Sequence, residues 1–166
     1  MGGRAMTTEL QMFRELYRFH FRKLRQYCET IWSLPVKERY RNRDSTFPSL
    51  VDIYLHILDD YRFWFIQAYT GKTFQDFPLG VRLSRAEADR ATRGVERLVS
   101  DVLESLRPKD LDRKFYIRVD RRSTTIRAML LQMIEGDLQH KGELNALLWQ
   151  LDVPPPRVDL YRTTRF

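Results

Sequence analysis

The chain has 166 residues and a mass of 20.0 kDa, and we expect one domain spanning residues 1–166. Apolar residues make up 43% and charged residues 31% of the chain, which excludes a disordered protein. The single cysteine, Cys28, excludes an intrachain disulfide and a cysteine-based zinc site. No apolar run reaches the roughly 18–20 residues that span a bilayer, and the first residues lack the apolar core of a signal peptide. We therefore expect a cytoplasmic protein that has no membrane segment.

The formal charge of +7 arises from 29 basic and 22 acidic residues, and 23 of the basic residues are arginine. Such an excess can indicate a nucleic-acid partner, an anionic surface or only solubility. The arginines are spread along the chain among acidic residues, and no nucleic-acid-binding motif is present. We therefore do not expect nucleic acid as the main partner.

The spacing of apolar residues predicts four long helices. Steps of three and four recur over about residues 7–33, 49–70, 84–107 and 124–151. The second of these segments is apolar nearly all round, which predicts that it lies between other helices. Four long helices joined by links of about a dozen residues predict an all-α fold, an antiparallel four-helix bundle.

Three features refine the boundaries of these helices. Ser49 with Asp52, and Ser84 with Glu87, have the spacing of capping pairs at two helix starts. Alternating apolar and basic residues over 114–120 predict a short extended segment before the last helix, as one piece or as a hairpin arm. Ser123 or Thr124 is the expected cap of that helix.

Ionisable residues lie on the inward faces of two helices. On the last helix, Asp137 and His140 fall on a stripe of otherwise apolar residues and can present their side chains to one ion. On the second helix, His56 and Asp60 lie one turn apart. If the two helices face each other, these four nitrogen and oxygen ligands suit Zn, Ni, Mn or Fe.

A simpler interpretation of the same residues is a hydrogen-bonded pair in the core, since buried charges are normally paired. His20 has the position of a core or boundary histidine, and Cys28 that of inert packing. Gly136 lies in mid-helix, where glycine costs about 1 kcal/mol relative to alanine, so it needs a packing or site reason.

Two segments together resemble the DinB-like family of metal-binding four-helix proteins. The segment LLQMIEGDLQHKGELNALLWQLDVPPP is similar to the last helix of the family, with residues 140–143 in place of His-Arg-Gly-Gln and residues 149–154 matching its end. The segment LVDIYLHILDDYRFWF is similar to the second helix of the family, and His56 falls on its histidine.

The resemblance implies an up-down-down-up bundle, often a homodimer, with a divalent metal held by one histidine from the second helix and two from the last. His56 and His140 carry over. The third histidine is expected at position 136, where this chain has Gly136, so a neighbour must substitute or the metal is lost. Asp137 is the best placed substitute on this reasoning, and Asp60 is next.

Two functions remain open. Characterised relatives include metal-dependent transferases of low-molecular-weight thiols such as bacillithiol, and a mycothiol-dependent isomerase. The first hypothesis is accordingly a metal-dependent thiol transferase or hydrolase with an incomplete histidine triad, acting on a small molecule or with a thiol cosubstrate. The alternative is a non-catalytic, metal-free dimeric bundle that binds a small molecule or a partner protein.

Overall fold

The computed structural model describes residues 8–157, and most of them are helical. The helices are α1 (Glu9–Ser33), α2 (Val36–Arg39), α3 (Leu50–Arg62), α4 (Arg85–Ser105) and α5 (Ile126–Trp149). A π-helical stretch, Phe63–Ala68, continues α3, and a 3-10 turn, Pro108–Asp112, follows α4. The four predicted segments therefore correspond to α1, α3 with its π-helical extension, α4 and α5. Residue 7, where the first helix was predicted to begin, lies outside the described residues.

Side-chain caps define the starts of the long helices. The hydroxyl of Ser84 accepts a hydrogen bond from the backbone N–H of Glu87, whose carboxylate accepts one in return from the Ser84 N–H, which confirms the predicted capping box. Ser49 caps α3 through the N–H of Asp52, also as predicted. The cap of α5 is Thr125, one residue beyond the predicted Thr124.

The extended segment before α5 is one arm of a hairpin. Strand β1 (Lys114–Ile117) pairs antiparallel with β2 (Arg122–Thr125), with Lys114 opposite Thr125 and Ile117 opposite Arg122. The predicted extended segment, 114–120, is confirmed for residues 114–117, and residues 118–120 form the turn of the hairpin. Ser123 and Thr124 lie inside β2, and Thr125, the last residue of that strand, directly precedes α5 and caps it.

The core lies between the long helices. Helix α1 packs mainly against α4, and α3 packs mainly against α5. Almost every residue from Leu50 to Tyr61 is buried, which confirms that this apolar helix lies between others. Edge-to-face and tilted aromatic pairs link α1 to the end of α3, where ring centroids of Tyr17 and Phe21 lie 6.2 and 4.7 Å from that of Tyr61. Among residues 8–157, no helix combines the length and apolar character that a bilayer crossing requires.

Candidate metal centre

Helices α3 and α5 bring three of the predicted ligands together. One ligand atom each from His56, Asp60 and His140 lies within 4.8 Å of the others. His56 and Asp60 are one turn apart on α3, so both point from one face of that helix. His140 reaches the same point from α5, which packs against α3.

The carboxylate of Asp60 lies between the two imidazoles. Its Oδ2 is 3.3 Å from His56 Nε2 and 3.6 Å from His140 Nε2. Ligand atoms bound to one metal at about 2.0–2.2 Å in tetrahedral geometry lie about 3.3 Å apart. The two distances from Asp60 to the histidines are therefore close to those expected in a metal site of two histidines and one carboxylate.

Aromatic packing fixes the two rings. The His56 and His140 ring centroids are 4.7 Å apart and the rings are perpendicular. Phe47 stacks on His56 at 4.0 Å and meets the edge or face of His140 at 5.9 Å. Phe47 lies in the connection before α3 and carries no metal-ligating group, so a search for ligands in the sequence passes over it.

The carboxylate of Glu143 lies beside the ring nitrogen of His140 that faces away from Asp60. That nitrogen, Nδ1, is buried and makes no hydrogen bond, and Glu143 Oε2 lies 3.5 Å away. The other oxygen of Glu143 accepts a hydrogen bond of 3.0 Å from the backbone N–H of Thr46. Metal-bound histidines commonly donate their remaining N–H to a carboxylate, so Glu143 is placed to orient His140.

Burial shifts the pKa values of two of the three groups. Desolvation and the neighbouring His140 lower the pKa of His56 to about 4, so its imidazole is neutral at pH 7. Desolvation raises the pKa of Asp60 to about 6, against the opposing effect of His140, so its carboxyl is mostly ionised at pH 7. Both groups are therefore in the protonation state that a metal ion requires.

A cavity of about 510 Å³ opens beside His56 and Asp60. Its floor is α3, and its outer wall is the irregular link between α3 and α4, which includes Phe74, Phe77 and Leu79. Two buried aspartates of α3 hold this wall in place. Asp59 accepts a 2.8 Å hydrogen bond from the backbone N–H of Phe77, and Asp52 accepts one of 2.7 Å from that of Gly80.

A model of the DinB family matches residues 6–166, which is nearly the whole chain. The chain belongs to the DinB family. No curated protein matches it. The resemblance implied three metal-binding histidines, one from the second long helix and two from the last. The two that this DinB chain retains, His56 and His140, lie together in the structure.

Gly136 is the position at which this DinB chain departs from the expected third histidine. A Cβ atom built at Gly136 meets no atom within 4 Å, so the absence of a side chain there is not required by close packing. Asp60 occupies the third position of the group instead.

The structure does not bring Asp137 into the group, although it was the first predicted substitute. Its side chain is fully buried and faces α1, where Oδ2 contacts His20 Nδ1 and lies 2.6 Å from Lys141 Nζ. Lys141 Nζ also donates to the backbone carbonyl of His20 at 3.1 Å. Lys141 thus lies on the inward face of α5, while His140 is only partly buried.

The sequence did not reveal that His20, Asp137 and Lys141 form one buried network. Asp137 does form a hydrogen-bonded pair with a histidine in the core, as in the simpler interpretation, but that histidine is His20 and not His140. The spacing of Asp137 and Lys141 by four residues on one helix is the signal that could have revealed it. Cys28 is buried in the core, where it was expected as packing.

Proposed function

We propose that this DinB protein binds a divalent metal ion through His56, His140 and Asp60 and that it is a metal-dependent enzyme of the thiol transferase or hydrolase class. The observation that carries the proposal is the convergence of the three ligand atoms within 4.8 Å beside a cavity of about 510 Å³. The donor set suits Zn, Ni, Mn or Fe.

The protein groups around the centre have distinct roles in this proposal. A divalent metal ion supplies the means to ionise a bound thiol or water near neutral pH. His56 enters as a neutral imidazole, since its pKa is about 4. Glu143 holds the ring of His140 in orientation, and Phe47 stacks on the ring of His56 and contacts that of His140.

Two further expectations belong with this proposal. The packing of α1 against α4 and of α3 against α5 supports an antiparallel four-helix bundle, with the up-down-down-up order implied by the family. The predicted homodimer and the predicted thiol cosubstrate remain predictions.

The proposal is tested by the metal content of protein purified without a histidine tag and then dialysed. We expect near-stoichiometric metal, measured by plasma mass spectrometry, and its loss in His56→Ala and His140→Ala. Asp60→Asn should weaken binding about 10-fold or more, because one charged ligand is removed. His20→Ala is the matched control: it should destabilise the fold but retain the metal.

Gly136 favours a second candidate function, a metal-free bundle that binds a small molecule in the same cavity. The same measurement separates the two. Wild-type protein that takes up no Zn, Ni, Mn or Fe at micromolar concentrations would contradict the metal proposal and favour this alternative. Equal metal loss from His20→Ala and His140→Ala would contradict the ligand assignment.

A further inference from the structure

The charge of the cavity beside the candidate metal centre is opposite in sign to that of the whole protein. Four aspartates line it, and among the described residues that line it there is no lysine or arginine. The four are Asp52, Asp59, Asp60 and Asp76. Arg62 pairs with one of them, Asp59, so the other three carry the excess of negative charge. A cleft with an excess of one sign of charge concentrates ligands of the opposite sign, so this cavity disfavours anions.

The four carboxylates differ in how far they are already satisfied. Asp52 and Asp59 are buried and bind backbone N–H groups of the outer wall, and Asp59 also pairs with Arg62 at 2.8 Å. Asp60 belongs to the candidate metal centre. Asp76 is exposed at the cavity, and its charge reaches His56, Asp59 and Asp60. It is therefore the carboxylate best placed to meet an incoming ligand.

The apolar part of the cavity points to the same class of ligand. Four phenylalanines line it: Phe47, Phe63, Phe74 and Phe77. The face of an aromatic ring attracts cations, and organic ammonium groups are recognised by such rings. The Arg62 guanidinium lies 4.7 Å from the Phe74 centroid and 5.1 Å from that of Phe77, so a ligand cation would have to use aromatic surface that Arg62 does not cover.

We propose that this cavity accepts an organic cation, an ammonium group carried on an apolar body, as the substrate or ligand of the protein. The ammonium group meets Asp76, and the apolar body lies among the phenylalanine rings. The inference rests on the proposed function for its choice of cavity, but the charge preference comes from the cavity walls and does not require bound metal. A volume of about 510 Å³ suits a small molecule.

The test compares three probes of similar shape by isothermal titration calorimetry at low salt: 2-phenylethylammonium, 3-phenylpropanoate and neutral 3-phenylpropanamide. The full chain is used as purified and again after treatment with a chelator. In the chelator-treated protein we expect the ammonium probe to bind at least about 10-fold more tightly than the carboxylate probe, and its affinity to fall as salt is added. In metal-bearing protein the preference should be smaller, because the ion offsets part of the negative charge. Equal or tighter binding of the carboxylate or the amide by the chelator-treated protein, or no binding of any probe to it, would overturn the proposal.

Two variants locate the effect. Asp76→Asn should weaken the ammonium probe about three- to tenfold and leave the amide unchanged. Asp101→Asn, which removes an exposed charge on α4 away from the cavity, is the matched control and should change neither. An unchanged ammonium affinity in Asp76→Asn also overturns the proposal. Metal content measured on the same samples keeps the two proposals apart: an ammonium preference without metal uptake contradicts only the metal function, and metal uptake without the preference contradicts only this inference.

Discussion

At the scale of single residues, the candidate metal centre depends on the helix face from which each side chain projects. His140 and Lys141 are neighbours in sequence, yet Lys141 points into the core and His140 points to α3. Gly136 lies one turn before His140 and so shares its side of α5. A side chain at position 136 would therefore be directed toward the centre, where the space next to the backbone is open.

The substitution Gly136→His should restore a third imidazole. We expect metal affinity to rise about 10-fold or more, measured by competition with a chelating dye. Gly136→Ala is the control for the backbone: it should raise the free energy of unfolding by about 1 kcal/mol through helix propensity and leave metal affinity unchanged. If Gly136→His increases stability without any gain in metal affinity, then an imidazole at position 136 does not reach the metal centre.

At the scale of elements, the buried network His20–Asp137–Lys141 joins α1 to α5. The three side chains are almost completely buried, so the network is an internal ion pair and not a surface one. Burial opposes ionisation of Asp137, but the charge of Lys141 and the hydrogen bond with His20 outweigh it and lower the pKa of the carboxyl.

The lowered pKa of Asp137 predicts a loss of stability in acid. The unfolded chain binds a proton at this group more readily than the native protein does, so its stabilising contribution is present above the unfolded pKa of about 3.9 and is lost as pH falls through the native value. We expect the free energy of unfolding, measured with urea, to fall below about pH 4 more steeply in the wild type than in the uncharged double variant Asp137→Asn/Lys141→Met. Parallel pH profiles for the two proteins would contradict this assignment.

At the scale of the whole molecule, the net charge of the protein is opposite in sign to the charge at the cavity. The chain carries +7, yet the cavity beside the centre is lined by aspartates. Several of the basic residues pair with surface acids, as Arg127 does with Glu9 and Asp112. Fields at a cleft are set by the nearest groups and by the low dielectric of its walls, so the net charge does not decide what the cavity binds.

Metal binding should be visible in the stability of the entire fold, since its ligands come from two helices that pack together only in the native state. At a free metal concentration 100 times the dissociation constant, the free energy of unfolding should rise by about 2.7 kcal/mol. Thermal unfolding with and without Zn or Fe checks this increase. The double variant His56→Ala/His140→Ala should show no increase, and an equal increase in that variant would place the metal elsewhere.

The sequence alone determined the helices. The period of apolar residues, the capping pairs at Ser49 and Ser84, and the prolines after Trp149 are local signals, and the described helices follow them to within a few residues. Likewise, His56 and His140 were identified from local patterns. Only the tertiary structure decided which acidic residue joins them, because Asp60 and Asp137 both lie on helix faces that periodicity marks as inward. The rotation of α5 against α1 turns Asp137 toward His20 and leaves Asp60 with the two imidazoles, and such a rotation depends on packing across helices that are far apart in the chain.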